Sequence, residues 1–208
     1  MKKKDGAADL IAAMEADLLG GRFRPGEWLK QADIEAMYSA HRFDVRMALL
    51  DLKVRHLIEH VKNRGYRVIN LTEREREYLI ETRTILETGA ISLAAQRRSE
   101  EDISDLNALV HQFEDAIELG DLDVLRGLNA EFHDRLYQAC GNLTLAAEIK
   151  ALRQRGLPGA RGWRSVPAIK NSNKDHAEMV QLLEARNGEA LSAIVRAHLN
   201  RWREGPEN

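Results

Sequence analysis

The residues best suited to chemistry in this 208-residue chain are histidines placed on the apolar stripes of helices. His176 shares its helical stripe with Met179, Val180 and Leu183, and His198 shares one with Leu191, Ile194 and Trp202. His133 follows Asn129 by four residues, so both side chains leave the same face of their helix. Three imidazoles turned toward one apolar interior need polar partners, because an unsatisfied polar group is costly there. A divalent transition metal satisfies all three, and imidazole with oxygen ligands suits Zn or Ni. Each histidine taken singly has a second reading, a core residue hydrogen-bonded to a neighbour. Phase alone leaves both readings open.

A second set of residues is basic. Arg42 and Arg46 are four apart and lie on one helical face. An arginine in the first turns of a helix can grip guanine by two hydrogen bonds in the major groove, a discrimination of about 1–3 kcal/mol. Lys62 and Arg64 flank a turn whose Gly65 permits close backbone approach, an arrangement suited to phosphate contact. Surface arginines in water are the other reading of these positions.

The elements that must position these groups fall into two regions. Residues 7–19 form an amphipathic helix carrying Leu10, Ile11, Met14, Leu18 and Leu19, stopped by Gly20-Gly21. Pro25-Gly26 turns the chain, and helices over about 31–38 and 43–56 follow. Residues 56–61 and 66–69 read as two strands joined by the turn Lys62-Asn63-Arg64-Gly65. Three helices and a hairpin within 70 residues are the layout of a winged helix-turn-helix. Beyond residue 70 the pattern is helical throughout. Thr72 with Glu75 opens a helix to about residue 96, and Ser99 opens another to about 119. Helices over about 122–140, 143–155, 171–186 and 188–203 complete an antiparallel bundle, with residues 156–168 expected as a loop. The fold class is therefore mainly α: a DNA-binding domain over 1–70 and an all-α domain over 71–208.

Composition is consistent with this division. The net charge is −2, yet residues 1–70 hold 13 Lys and Arg against 10 Asp and Glu, while the remainder holds 18 against 23. Positive charge is thus concentrated where nucleic acid would bind. No apolar run approaches the roughly 18 residues of a membrane span, and Met1-Lys2-Lys3-Lys4-Asp5 lacks the apolar stretch of a signal peptide. The single Cys140 excludes an intrachain disulfide and any zinc site built on paired cysteines. A cytoplasmic protein with no membrane partner is expected.

The N-terminal region resembles the GntR family of bacterial transcription regulators. Arg24-Pro25-Gly26-Glu27-Trp28-Leu29 looks like the family's turn before the helix-turn-helix, His41-Arg42-Phe43-Asp44-Val45-Arg46-Met47-Ala48-Leu49 like its recognition helix, and Arg64-Gly65-Tyr66-Arg67-Val68 like its wing. The resemblance implies that His41, Arg42, Arg46, Lys62, Arg64 and Gly65 contact a double-stranded DNA operator. The chain departs from the family pattern where Ser-Arg-Thr-Pro is usual, carrying His41-Arg42-Phe43-Asp44, and where Glu-Gly precedes the wing, carrying Arg55-His56. Asp44 is expected to bring negative charge near the phosphates.

The C-terminal region is similar to the helical (FCD-type) ligand-binding domain of the family's FadR-like branch. The similarity rests on Arg83-x-x-x-Glu87, Asn129-Ala-Glu-Phe-His133, Gly141-Asn142, His176 and His198. It implies a metal site of Asn129, His133, His176 and His198, with Zn first and Ni or Mn as further options. Asn129 is a neutral ligand where the branch more often has a carboxylate. Asp134 cannot replace it, lying about 100° further round the helix. A neutral ligand set favours an anionic effector of carboxylate type, for which Arg83 is the natural bidentate anchor unless it pairs with Glu87. Tyr137, Asn142 and Arg153 are further effector-binding candidates, although Asn142 is also placed to cap the following helix. The expected function is a homodimeric, ligand-responsive repressor released from its operator by a small carboxylate. The rival is a metal-dependent hydrolase using the three histidines. His176-Ala177-Glu178 lacks the paired cysteines of a zinc deaminase, and neither a His-Glu-x-x-His nor a phosphate-binding glycine loop occurs.

Overall fold

The computed structural model describes residues 6–156 and 165–201. In chain order the elements are α1 (Gly6–Leu19), β1 (Trp28–Leu29), α2 (Gln31–Tyr38), α3 (Arg42–Val54), β2 (Ile58–Val61), β3 (Gly65–Val68), α4 (Glu73–Arg97), α5 (Glu100–Leu119), α6 (Leu122–Gln138), α7 (Leu143–Gly156), α8 (Val166–Glu184) and α9 (Gly188–Asn200). They form two compact units. The first lies within residues 1–74 and includes the end of α7 from Arg153, and the second lies within the rest of the described chain.

The first unit has its own core. Leu10, Met14 and Leu18 of α1, Ile34 of α2, and Val45, Ala48, Leu49 and Leu52 of α3 pack with Leu57, just before β2, and with Ile58 and Val68 of the sheet. The sheet is antiparallel in the order β1-β3-β2, with Trp28 opposite Arg67 and Ile58 opposite Val68. The two-residue β1 escapes sequence reading, because alternation needs about four residues to be seen. It exists because the turn at Gly26, with φ of 80°, returns the chain to β3, where Gly26 N–H donates to Val68 C=O at 3.0 Å. Tyr38 Oη donates to Asp17 at 2.5 Å, tying α2 to α1. Burial and that bond push the phenol above its ordinary range.

The second unit is an all-helical bundle. Its main core joins Ala90, Ile91 and Ala94 of α4 with Leu106, Phe132, Leu136, Ile149, Met179, Leu183, Leu191 and Val195. Local chemistry sets several ends. Ser99 and Asp102 form a reciprocal capping box on α5, and Asp121 and Asn187 cap α6 and α9. The α8 helix begins at Val166, earlier than the expected 171, because Ser165 caps it and Pro167 sits in the first turn. There a missing N–H costs no helical hydrogen bond. Residues 157–164 of the expected loop, and Trp202, lie outside the described residues.

Three helices end on left-handed residues that are not glycine: α2 on Ser39, with φ of 49°, α3 on His56 and α8 on Arg186. After α3, His56 takes φ of 58°, with Leu57 N–H on Leu52 C=O and His56 N–H on Lys53 C=O, both at 3.0 Å. This is a Schellman closure, a motif that normally uses glycine at the left-handed position. Arg186 does the same after α8, and its guanidinium also donates to the carbonyls of Ala95 and Gln96 at the end of α4. His56 is exposed and bears Cβ strain that glycine lacks. His56→Gly should therefore stabilise the first unit by about 1 kcal/mol, read as a higher denaturant midpoint at unchanged slope.

Candidate functional site

In the second unit α6, α8 and α9 bring His133, His176 and His198 together. Their potential ligand atoms lie within 4.8 Å of one another. The ring centroids are 5.0, 5.2 and 5.3 Å apart. His133 and His176 are fully buried, and His198 is nearly so. Phe132 stacks on His176 at 4.2 Å, and Phe113 meets its edge at 5.5 Å, which walls the group with aromatic rings. Three imidazoles this close suit one shared cation, because like-charged imidazolium forms would repel at such separations. The donor set therefore fits a divalent ion.

Asp175 supports this group. Its Oδ2 accepts from His198 Nδ1 at 2.9 Å, while Arg201 pairs with both carboxylate oxygens at 2.6 Å. Burial opposes ionisation of Asp175, but the hydrogen bonds and charges of His198 and Arg201 prevail and hold its carboxyl below the usual range. In the neutral ring a carboxylate on Nδ1 would leave Nε2 of His198 to bind an ion, the arrangement common behind metal-binding histidines.

A second polar chain runs beside the histidines. Arg83 Nε donates to Glu87 Oε1 at 2.7 Å, and Tyr137 Oη donates to Glu87 Oε2. Glu87 is fully buried, and Tyr137 lies parallel to His133 at 6.1 Å. The expected i, i+4 pair of Arg83 with Glu87 is thus formed. Asn129 is half-buried, one turn before His133 on α6. Asn142 is exposed, and its Oδ1 accepts from Leu145 N–H at 3.1 Å as the cap of α7. Arg153, in the last turn of α7, groups with the first unit rather than with the histidines.

In the first unit α3 presents its N-terminal end with His41, Arg42 and Arg46 exposed. Asp44 does not join them. Its Oδ2 stands 3.1 Å from where a Cβ on Gly6 would lie, at the first turn of α1. A carboxylate is favoured there by the partial positive charge of a helix start, and a glycine at position 6 brings it close without crowding. Asp44 is half-buried beside the start of α1, whereas its neighbours Arg42 and Arg46 are exposed. In the hairpin Lys62 and Arg64 are exposed, and Arg64 lies over the Trp28 ring at 4.4 Å, a cation–π contact. Asn63 and Gly65 both take positive φ, 63° and 98°, which shapes the wing turn.

Comparison with known proteins agrees with this geometry. Residues 7–68 match the model of bacterial regulatory proteins of the gntR family, and residues 78–201 match the FCD domain. The chain belongs to the GntR family and carries an FCD domain. Its curated relatives include the Nta operon transcriptional regulator of Aminobacter aminovorans, 27% identical over 86% of this chain and 84% of that protein. The HTH-type transcriptional repressor GlaR of Escherichia coli is 26% identical over 89% of each chain. Among solved structures, E. coli McbR/YncC is similar in fold, with a TM-score of 0.83 at 19% identity over 95% of this chain and 94% of that one. A GntR regulator from Rhodococcus gives 0.77 at 19% identity over 93% of each. The protein is a DNA-binding, ligand-responsive transcription regulator of this family.

Within this family member, sequence reasoning missed Asp175. It directly precedes His176, about 100° round the helix, so phase argued against a shared role. Nothing in the spacing from 175 to 198 announces the contact. The Glu87–Tyr137 bond likewise joins residues fifty apart. Tyr137→Phe removes one hydroxyl donor from a buried carboxylate and should cost about 1–3 kcal/mol, measured by denaturant unfolding of the purified protein.

Proposed function

We propose that this GntR-family regulator is a homodimeric repressor whose FCD domain holds a divalent transition metal, Zn first, and is released from its operator by a small carboxylate. The observation that carries the reading is the convergence of His133, His176 and His198 donor atoms within 4.8 Å inside the helical unit. These three residues would hold the ion, with the Asn129 amide oxygen as a neutral fourth donor. When bound, the ion supplies positive charge that the neutral protein ligands leave uncompensated, and this draws an anion. Asp175 fixes the ring of His198 through its 2.9 Å bond. Arg83, oriented by Glu87, offers its remaining guanidinium donors to the carboxylate, with Tyr137 beside it. Asn142, used as a cap, and Arg153, in the other unit, are left out of this effector site.

The winged unit does the reading. His41, Arg42 and Arg46 meet the major groove from the N-terminal end of α3, and Lys62, Arg64 and Gly65 of the wing meet the backbone. A dimer would set two such helices about 34–36 Å apart on a pseudo-palindromic site. Repression as the sign is supported by the name of the GlaR repressor. Effector binding lowers operator affinity by the difference in its affinity for the two states. A location in the cytoplasm follows from the need to meet the chromosome, and among the described residues no helix is long and apolar enough to cross a membrane.

Two experiments test the two halves. Arg42→Ala and Arg46→Ala should each weaken binding to a duplex enriched from random DNA by at least about tenfold, and the loss of phosphate contacts should flatten the salt dependence. Unchanged affinity and salt slope in both variants sink the contact assignment. For the sensor, His133→Ala with His198→Ala should abolish bound metal in elemental analysis of the purified protein. It should also abolish metal-dependent release of the duplex by a panel of small carboxylates. Metal content equal to that of the unaltered protein rejects the site.

A further inference from the structure

The outward face of α3 is apolar as well as basic. Val45, Ala48, Leu49 and Leu52 are wholly buried and define its inner side. At 100° per residue, the positions directly opposite are Phe43, Met47, Leu50 and Val54. They are exposed by 71%, 42%, 45% and 77% respectively. Arg42, Arg46 and Lys53 line one edge of this stripe, and no ion pair engages them among the described residues. Asp44 and Asp51 line the other edge and are occupied, Asp44 against the first turn of α1 and Asp51 in an ion pair with Arg55 at 2.6 Å. The acidic edge is thus turned to the protein's own needs, while the apolar stripe and the basic edge are left facing outward together.

Four large apolar side chains in a row on an exposed helix call for an apolar partner. The basic edge beside them selects a polyanion, and the helix lies within the residues that match the gntR family and is the one assigned to the major groove above. The apolar feature of the major groove is the 5-methyl group of thymine. Residues in the first two turns of such a helix are the ones that reach base edges. Phe43 and Met47 occupy those turns, one on either side of Arg46 in sequence. We propose that Phe43, backed by Met47, reads a thymine methyl group in the operator, so that this regulator recognises a thymine by apolar contact next to the base pairs gripped by Arg42 and Arg46. This inference rests on the DNA-contact assignment made above and adds to it the identity of a base and the chemistry that selects it.

The test uses the full-length protein and a duplex it enriches from random DNA, resynthesised with deoxyuridine in place of one thymine at a time. Deoxyuridine lacks only the methyl group. At one or more positions the replacement should weaken binding about three- to tenfold. Phe43→Ala should bind the thymine and deoxyuridine duplexes equally, within a factor of about two, and Phe43→Leu should keep part of the difference. The ring lies outside the core, and an unchanged melting curve confirms that each variant is folded. Indifference of the unaltered protein to every replacement overturns the proposal, as does a Phe43→Ala variant that keeps the full thymine preference. A Phe43→Ala variant that changes its state of association, with the thymine preference intact, assigns the stripe to a second copy of the chain and overturns it too. Methyl-blind binding that still depends on Arg42 defeats this inference alone. Failure to enrich any duplex defeats the DNA-contact assignment with it.

Discussion

Burying imidazole is the constraint around which the helical unit is built. Three such rings lie about 5 Å apart in the bundle interior, where their nitrogens have little water to meet. The surrounding side chains follow from that cost. Phe132 and Phe113 close the apolar side, Asp175 takes one nitrogen of His198, and Arg201 balances the carboxylate that does so. The helices pack to hold this group: α8 lies between α5 and α9, and α5 also packs on α6. A sensor gains from such an arrangement, because a polar cluster inside a packed core has few tolerable states and a ligand that satisfies it shifts the balance among them.

The Arg83–Glu87–Tyr137 chain extends the same logic. A carboxylate as buried as Glu87 needs donors, and it takes one from its own helix and one from α6. The result fixes the arginine proposed to meet an anion. An anchor held in place before binding loses less side-chain entropy when the ligand arrives.

The winged unit solves a different problem with one helix. Helix α3 buries one side in the core and leaves the other exposed. Its sequence separates these duties into an inner aliphatic face, an outer apolar stripe, a basic edge and an acidic edge. The departures from the family pattern acquire reasons in this frame. Asp44 serves the start of α1, with Gly6 leaving it space. His56 occupies the left-handed position that glycine normally takes after the helix. Trp28, on a strand of two residues, gives Arg64 of the wing a surface to lie on.

Periodicity and capping residues in the sequence settled the helices, apart from the start of α8, and the hairpin, but not the two-residue β1. The 3.6-residue repeat identifies each helix of the bundle, Ser99 marks a start, and the turn at Lys62 to Gly65 marks the hairpin. Helical phase also put His133, His176 and His198 on inward faces, because phase is a local property of the chain. Distance between helices is not local. That the three rings meet within 4.8 Å, that Asp175 rather than another carboxylate stands behind His198, and that Tyr137 reaches Glu87 were decided by packing. The direction of Asp44 was decided in the same way: its side chain is half-buried at the edge of α3, and only the place of α1 says what it touches. Sequence spacing fixes which way a side chain leaves its helix, and tertiary contact alone fixes what it finds there.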